Sequence, residues 1–383
     1  MRRNAALFIV FLLLIAGISL AEFVFFETDP TAPVPELVPN ESSENAGQNE
    51  AAEPIEILIS ACGDLTLGGN MKKNPKSTIY TQQLERHNND LSYFFANARD
   101  IFEADDLTIV NFEGTLTNIA QPPKNKQNNE FLFRVPPEHV QILTLNAIEV
   151  VALENNHIMD FGEQGYLDTV AALTSAGVAY ASDGSMGVVQ TKGISIAMLA
   201  YQTINIEGAY EKLFERVPIE IAAARLEHDL VIVSYHWGRE KDYVPNANQM
   251  KLGRLTIDAG ADLVLGHHSH RINPIECYNG KYIVYSLSNS SFSGNSRPSD
   301  MDTFIFQQKF TVTGNQSEPG PFRIIPASMS SVTAKSGSKS GDNDLAFTPF
   351  PEGSPGISRV INKMKENGKG LQYAVDHYPT DWQ

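Results

Sequence analysis

The chain has 383 residues, of which 42% are hydrophobic and 19% charged, a composition typical of a folded protein with a large core. Its 45 acidic and 29 basic residues give a formal net charge of -16. This balance argues against broad nucleic-acid binding, which neutralises phosphates with cationic side chains. The two cysteines, Cys62 and Cys277, are too few for a disulfide framework.

The first 26 residues have the pattern of an export signal. Arg2 and Arg3 precede an uncharged run from Ala5 to Ala21, and the apolar stretch continues to Phe26. That length is just sufficient for a helix to cross a bilayer, with its positive end in the cytoplasm. We therefore expect residues 1–26 to anchor the protein in the cell membrane, with the remainder extracytoplasmic. Cleavage before Glu22 and secretion is the alternative.

A linker is predicted over residues 27–54. This stretch contains five prolines, several acidic residues and almost no large apolar side chains. Such a composition does not offset the entropy lost on ordering, so the segment is expected to act as an extended tether.

From Ile55 onward, short apolar runs predict buried strands. Helical patterns alternate with them, at residues 92–104, 136–147, 162–177 and 246–260. The strand runs are IEILISAC, LTIVNF, IEVVAL, ISIAMLAY, LVIVSY, ADLVLG and KYIVYSL. Near-continuous apolar strands alternating with amphipathic helices are typical of a layered α/β fold whose sheets are buried on both faces.

The pattern of apolar and polar residues changes near the C-terminus. After about Asp300 the alternation in TFIFQQKFTVTG and FRIIPASMSS predicts antiparallel strands. The stretch TAKSGSKSGDND predicts a loop, and SPGISRVINKMKENG predicts a closing helix that packs on the body. We therefore divide the remaining chain into a main domain, residues 55–330, and a C-terminal loop and helix, residues 331–383.

Five of the predicted strands end in a carboxylate, an amide or an imidazole, often beside glycine. The residues at these ends are Asp64, Glu113, Asn156 with His157, His236, and the cluster His267, His268 and His270. In layered α/β folds, ligands bind outside the carboxyl ends of the strands, so side chains distant in sequence can meet there. Asp, Glu, Asn and His together bind divalent cations such as Mn, Fe and Zn. The pattern therefore predicts a metal site.

Each residue alone also has a purely structural explanation. Asp64 fits a turn cap, Glu113 a solvated loop acid, and His236 a half-buried imidazole beside Trp237. Two imidazoles at His268 and His270 seldom serve packing alone, and the joint pattern favours a site. The alternation of a strand directs His267 away from its neighbour, so a structural role is expected for it.

The ordered motifs GDLTLGG, NFEGTLT, ENNHIMDFGEQG, YHWGREKDY, GHHSHRINPIE and YSLSNSSF resemble those of the CapA family of capsule and poly-γ-glutamate biosynthesis proteins. The resemblance covers roughly residues 55–310. The CapA family is in turn similar to the calcineurin-type metallophosphoesterases. This resemblance implies a layered α/β/β/α sandwich of mixed sheets flanked by helices.

The resemblance also implies roles for the clustered residues. Asp64 and His270 would hold a first metal, Glu113 would bridge, and Asn156, His236 and His268 would hold a second metal. His157 would lie near the leaving group as a catalytic acid. Asp160 fits a partner that orients an imidazole, and Glu240 fits the same role for His236.

This chain departs from the resembling pattern at several positions. Thr66 stands where the scheme has a histidine, and Glu113 replaces a shorter aspartate, so occupancy by one metal or by two is left open. Glu154 and Ser288 replace a usual alanine and glycine at the pocket rim. Arg134 and Arg239 stay outside the predicted site.

The function implied is synthesis or export of a surface polymer such as poly-γ-glutamate. The exported domain would carry a metal-dependent phosphoesterase site for an anionic polymer or phosphoester. The alternative is a non-catalytic, membrane-tethered scaffold beside the subunits of a polymer synthase. No nucleic-acid partner is expected.

Overall fold

The computed structural model describes residues 53–69, 78–127, 131–314 and 316–382. The predicted anchor, and the linker up to residue 52, lie outside these residues. In the described part of the chain, no helix has the length and apolar character needed to cross a membrane.

Sixteen strands are found in the described residues. They are β1 Ile55–Thr66, β2 Leu107–Phe112, β3 Thr115–Leu116, β4 Arg134–Val135, β5 Val150–Ala152, β6 Ala179–Ala181, β7 Gly187–Thr191, β8 Ile194–Gln202, β9 Leu230–His236, β10 Leu263–His267, β11 Ile275–Tyr278, β12 Lys281–Val284, β13 Asn289–Phe292, β14 Asp302–Thr313, β15 Gln316–Ser328 and β16 Thr348–Pro349.

Helices connect many of these strands. The α-helices are α1 Ile79–Arg86, α2 Arg99–Phe102, α3 Gln141–Thr144, α4 Gly162–Ala176, α5 Ala209–Glu227, α6 Ala247–Asp258, α7 Ser331–Ser336 and α8 Pro355–Gly368. Two single-turn 3-10 helices, Leu91–Phe94 and Pro137–Val140, complete the set in the described residues.

The strands form two large mixed sheets. The first has the order β16-β15-β14-β1-β2-β5-β6, with β13 also paired to β1. In it, β1, β2, β5 and β6 are mutually parallel, β14 is antiparallel to β1, and β15 is antiparallel to β14. The second has the order β11-β12-β10-β9-β8-β7, with a parallel centre and antiparallel edges. The short pair β3-β4 stands apart.

The two sheets pack face to face. Ile57 and Ile59 of β1 belong to the same buried cluster as Ile196 and Met198 of β8. Successive residues on a strand point to opposite faces, so each central strand must be apolar on both sides when both faces are covered. This requirement explains the near-continuous apolar runs in the sequence.

Helices cover the outer face of each sheet. Val151 of β5 packs with Leu173 of α4 on one side. Val231 of β9 packs with Val217 of α5 and Leu252 of α6 on the other. The protein is therefore an α/β fold with two mixed sheets flanked by helices, and the predicted fold class is confirmed.

Several predicted helices differ from the observed ones. The patterns at 92–104 and 136–147 give only the two 3-10 turns and the one-turn helices α2 and α3. The segment predicted as a loop begins within α7. The helix α5 was not predicted, and it contains Pro218. Helix α4 ends at Gly177 in the left-handed conformation, which fits a C-terminal glycine.

The carboxyl group of Asp105 makes the stability of this fold depend on pH. Burial raises its pKa to about 7, although hydrogen bonds from Ser60 and Thr108 favour its charged form. The unfolded carboxyl titrates near ~4, so the folded chain binds an extra proton between about pH 4 and pH 7. The unfolding free energy is therefore expected to fall as the pH rises through this window, by at most about 1.4 kcal/mol per pH unit.

The variant Asp105→Asn is expected to lose this dependence of the unfolding free energy on pH. Its amide oxygen can still accept the hydrogen bond that Thr108 Oγ1 donates to Asp105 Oδ2 at 2.8 Å. Urea unfolding of the variant and the parent between pH 4 and pH 8 measures the difference. Asp100→Asn, at an exposed position, should leave the pH profile unchanged. Identical profiles for parent and Asp105→Asn would contradict the prediction.

Candidate metal centre

The parallel pairing of the strands brings their polar ends together. Asp64 of β1 pairs with Asn111 of β2, and Asn111 pairs with Ala152 at the end of β5. In the other sheet, His236 at the end of β9 pairs with His267 at the end of β10. The two sheets therefore present their functional ends at one place, as expected for a layered α/β fold.

Glu113, His236 and His268 form the first group that could hold a metal ion. All three are buried, and one ligand atom from each lies within 4.8 Å of the others. Glu113 Oε1 is 3.5 Å from His236 Nε2, which is 3.0 Å from His268 Nδ1. One carboxylate and two imidazoles suit a borderline divalent cation.

Asp64, Glu113 and His270 form the second such group. Asp64 Oδ2 is 3.1 Å from His270 Nδ1 and accepts a hydrogen bond from the backbone N–H of His268 at 3.2 Å. Asp64 Oδ1 accepts a hydrogen bond from Asn111 Nδ2 at 2.9 Å. Glu113 is thus common to both groups, as expected for a carboxylate between them.

The acidic and imidazole groups perturb one another. Burial opposes ionisation of Asp64, but His267 and His270 outweigh it and hold the pKa of Asp64 well below 3.8. Burial also opposes the charge on His270, yet Glu113 and Asp64 raise the pKa of His270 to about 9. Burial raises the pKa of Glu113, an effect that His270 partly offsets.

The two histidines of the first group are shifted in the opposite direction. Burial, with the nearby imidazole of His268, lowers the pKa of His236 well below 6.5. Burial and the charge of His270 lower the pKa of His268 to about 4. Both imidazoles are therefore neutral at pH 7, which is the protonation state that binds a metal.

His157 and Asp160 form a pair beside this centre. His157 Nδ1 is 2.8 Å from Asp160 Oδ2, which also accepts a hydrogen bond from the backbone N–H of Phe133 at 2.9 Å. Burial opposes protonation of His157, but the hydrogen bond and charge of Asp160 raise its pKa. The ring of Phe133 contacts the imidazole edge-on, with centroids 4.7 Å apart. Asp160 therefore holds the imidazole of His157 in place.

The backbone after β10 adopts an uncommon conformation. His268 has φ 86° and His270 has φ 52°, in the left-handed region that residues with a Cβ rarely occupy. Such conformations are found where the surrounding structure enforces them, commonly at functional sites. Here they break the alternation of the strand, so His267 and His268 both approach Asp64: His267 Nδ1 is 3.3 Å from Asp64 Oδ1.

Other residues of the site were placed differently from expectation. Glu240 lies on an exposed loop, and its charge acts on His268, whereas His236 Nδ1 lies 3.3 Å from the amide of Asn111. Asn111 is not among the predicted site residues, although an amide within the buried run LTIVNF is a signal that identifies it. His267, expected to have a structural role, lies against Asp64 as described above. Asn111 is thus a polar neighbour of His236.

The neighbouring arginines do not form part of the centre. Arg134 Nη1 donates to the backbone carbonyl of Thr117 at 3.4 Å, and its guanidinium lies over the ring of Phe161. Arg239 is exposed on the loop after β9. Their omission from the predicted site agrees with these positions.

The donor set fits a bound divalent cation. Within the described residues, Glu113 Oε1 and Asn156 Oδ1 are buried and have no hydrogen-bond partner. A buried oxygen left without a partner costs about 1–3 kcal/mol, and a cation held by the first group would satisfy Glu113 Oε1. The neutral imidazoles of His236 and His268 supply nitrogen ligands. These residues together therefore meet the requirements of a metal site.

Ser288 carries a conformational cost at the rim of this centre. Its φ of 62° lies in the left-handed region, and its buried hydroxyl has no hydrogen-bond partner in the described part of the chain. Ser288→Gly is therefore expected to raise the unfolding free energy by about 1 kcal/mol, after allowance for the greater entropy of the unfolded glycine. Urea unfolding in the presence of a chelator measures the change.

Ser290→Gly serves as the matched control for this prediction. Ser290 Oγ donates a hydrogen bond to the carbonyl of Gly63 at 3.2 Å, and Ser290 is absent from the residues with positive φ. Its replacement should lower stability. A Ser288→Gly variant less stable than the parent would show that the hydroxyl contributes more than the strain costs.

Comparison with known proteins gives a consistent family match. The family model described as "Bacterial capsule synthesis protein PGA_cap" matches residues 58–293. The chain is 32% identical over 260 residues to the "PGA biosynthesis protein CapA" of Bacillus subtilis, covering 62% of this chain and 66% of that protein. It is 31% identical over 209 residues to a "Probable polyglutamine synthesis accessory protein" of Mycobacterium tuberculosis, covering 48% and 54%.

A further relative and two solved structures are also similar. The "Capsule biosynthesis protein CapA" of Bacillus anthracis is 25% identical over 271 residues, covering 64% of this chain and 63% of that protein. A hypothetical protein from Thermus thermophilus aligns with a TM-score of 0.41 and 14% identity, covering 70% and 98% of the two chains. A structure titled as a novel phosphatase of Mycoplasma pneumoniae aligns with a TM-score of 0.43 and 12% identity, covering 72% and 94%.

These matches agree with the motifs quoted from the sequence. The alignments span between 54% and 66% of the length of the curated relatives. The family model itself covers more than half of this chain and includes every residue of the centre. The chain belongs to the bacterial capsule synthesis protein PGA_cap family.

Proposed function

We propose that the protein acts outside the cytoplasm in the synthesis or export of a surface polymer such as poly-γ-glutamate, through metal-dependent hydrolysis of a phosphoester. The observation that carries this proposal is the buried group formed by Glu113, His236 and His268, with its unpartnered carboxylate oxygen. Family membership and the names of the relatives support the role in polymer synthesis.

The residues that would hold the cation are Glu113, Asn156, His236 and His268. When bound, a divalent cation supplies Lewis acidity toward a phosphoryl oxygen. None of these four residues is a lysine or an arginine, and the chain as a whole is acidic, with a net charge of -16. Attraction of an anionic substrate therefore depends on this local centre rather than on the protein surface.

His157 would act as the general acid. Its Nδ1 faces Asp160 Oδ2 at 2.8 Å, and this contact fixes the ring and directs the other nitrogen, Nε2, away from Asp160. The imidazole is partly accessible, with 15% of its side chain exposed. A proton held at Nε2 can then be transferred to the leaving oxygen of a bound ester.

The membrane and the synthase are the partners in this proposal. The apolar run to Phe26 would tether the domain outside the cell membrane, and release into the medium after cleavage is the alternative outcome. One relative is named an accessory protein of polyglutamine synthesis, which supports contact with polymer synthase subunits. N-terminal sequencing of the mature protein distinguishes the two outcomes, since a chain that begins at Glu22 has lost the tether.

A non-catalytic scaffold is the second candidate function. Thr66 favours it, because the metallophosphoesterase scheme has a metal-binding histidine at that position and this chain has a hydroxyl. A scaffold would keep the fold and the buried polar centre without turning over an ester. Metal binding without hydrolysis is the result that this candidate predicts.

The experiment combines metal analysis with an ester assay on the full chain. Parent protein, His268→Ala and the control His228→Ala are loaded with Mn²⁺, desalted, and assayed with phosphomonoesters and phosphodiesters. His228 hydrogen-bonds Ser195 Oγ and belongs to neither group of the centre. The proposal expects hydrolysis by the parent and by His228→Ala, and its loss together with the metal in His268→Ala. Equal turnover in all three proteins would refute the proposal.

A further inference from the structure

The two halves of the centre differ in how completely the protein itself satisfies their ligand atoms. We call Glu113, Asn156, His236 and His268 the histidine half, and Asp64 with His270 the aspartate half. A metal site needs lone pairs that are free to coordinate. Polar atoms already hydrogen-bonded within the protein must lose those bonds first.

The aspartate half is internally satisfied. Both oxygens of Asp64 are engaged, Oδ1 by the amide of Asn111 and Oδ2 by the backbone N–H of His268 and by His270 Nδ1. His270 Nδ1 lies 2.8 Å from Asn289 Oδ1 and 3.1 Å from Asp64 Oδ2. A nitrogen between two acceptor oxygens carries the proton, so Nδ1 offers no lone pair to a cation and only Nε2 of this imidazole remains as a possible ligand atom.

The histidine half is satisfied less completely. Among the described residues, its two buried oxygens, Glu113 Oε1 and Asn156 Oδ1, have no hydrogen-bond partner. His236 Nε2 and His268 Nδ1 lie 3.0 Å apart, so one of the two nitrogens carries the hydrogen between them, and a bound cation would replace that single hydrogen bond. Glu113 Oε1 is thus available to a cation beside these two imidazoles.

Thr66 accounts for the asymmetry. Its hydroxyl donates a hydrogen bond to Glu113 Oε2 at 2.7 Å, and both residues are buried. This hydrogen bond uses one lone pair of Oε2 and fixes the orientation of the carboxylate. It leaves Oε1 for the histidine half, 3.5 Å from His236 Nε2. A histidine at position 66 would instead add a nitrogen ligand beside Asp64.

We infer that the protein binds a single divalent cation in the histidine half, and that Thr66 is the residue that limits the site to one metal. The Asp64 carboxylate acts as a positioning group, since it holds the strained backbone of His268 through the N–H of that residue. This inference deepens the proposed function, which requires a metal centre but leaves the number of metals open. The single-metal inference and the proposed hydrolytic function can nevertheless be refuted independently.

The test counts metal ions per chain, with no assay of turnover. The full-length protein is loaded with excess Mn²⁺ or Zn²⁺, desalted, and analysed by mass spectrometry of the metal, with affinities from titration calorimetry. One equivalent is expected for the parent. The isosteric variant Asp64→Asn should keep one equivalent, whereas Glu113→Gln should weaken binding at least about tenfold, because the charged ligand is lost.

Thr66→His provides the gain-of-function arm, with Thr66→Val as its control. We expect two equivalents for the histidine variant and one for the valine variant. Two equivalents of similar affinity in the parent would overturn the inference, as would metal loss in Asp64→Asn with retention in Glu113→Gln. The Asp64 and Glu113 variants decide the question if Thr66→His does not fold, as judged by circular dichroism. One equivalent without ester hydrolysis would support the inference while refuting the proposed hydrolase.

Discussion

Replacing His157 by asparagine is expected to lower the turnover number for alkyl phosphomonoesters by about 10²–10⁴-fold without removing the metal. A decrease of this size in the turnover number is typical of removing a general acid. The imidazole belongs to neither metal-binding group, and its Nδ1 is bonded to Asp160, so its loss removes a proton donor and leaves the ligands in place. Steady-state kinetics and metal analysis of the same preparation measure both quantities.

The leaving group gives this prediction an internal control. A nitrophenyl ester departs as a stable anion and needs little protonation, so the defect of His157→Asn should be much smaller with it than with an alkyl ester. Asp160→Asn should reproduce part of the defect, because it removes the carboxylate that orients the ring. Asp168→Asn, which alters a carboxylate bonded to Thr117 and Gln164, is the matched control. Equal losses for both esters would contradict the role of acid.

The convergence of the site was predictable because it depends on a general property of parallel strands. Glu113, Asn156, His236 and His268 each follow an apolar run, and the carboxyl ends of neighbouring parallel strands lie at one edge. The meeting of these side chains depends only on the positions where the strands end. The register between strands, which local sequence does not specify, does not affect it.

The finer contacts depended on features that local patterns do not encode. His267 was expected to face away from His268, yet the left-handed conformation of His268 ends the alternation on which that reasoning rests. The pairing of Asn111 with Asp64 follows from the register of β1 and β2, which includes an irregularity next to Asp64. The asymmetry between the two halves of the centre arises from the Thr66 hydroxyl, whose direction only coordinates give.

The layered fold was predictable for a similar reason, whereas several helices were not. Continuous apolar runs require that both faces of a sheet be covered, whatever the detailed path of the chain. The segment 92–104 has suitable apolar spacing, but Asp90 Oδ1 accepts hydrogen bonds from the backbone and hydroxyl of Ser92 and starts a 3-10 turn instead. Pro218 lies within α5 and disfavours a helix locally. The apolar residues of α5 pack in a buried cluster with strands of the second sheet, and this packing stabilises the helix.

The C-terminal helix offers the largest expected effect on stability. The carboxylate of Asp302, with 0% side-chain exposure, receives two hydrogen bonds from Arg359, at 2.9 and 2.6 Å, and one from Lys363 at 2.7 Å. On the same helix, Val360 and Met364 are buried in the cluster between the sheets. We propose that this charge network fixes helix α8 on the body, as expected for a C-terminal segment that packs against the main domain.

Arg359→Met is accordingly expected to lower the unfolding free energy by about 3 kcal/mol, because it leaves a buried carboxylate with only the Lys363 ammonium as a charged partner. The matched control is Arg297→Met, whose ion pair with Asp342 has side-chain exposures of 77% and 70% and should contribute less than about 1 kcal/mol. Urea unfolding of the three proteins at pH 7 decides between them. If both variants lost the same stability, burial of the Asp302 carboxylate would not be the cause, and the docking of α8 would rest on its apolar face alone.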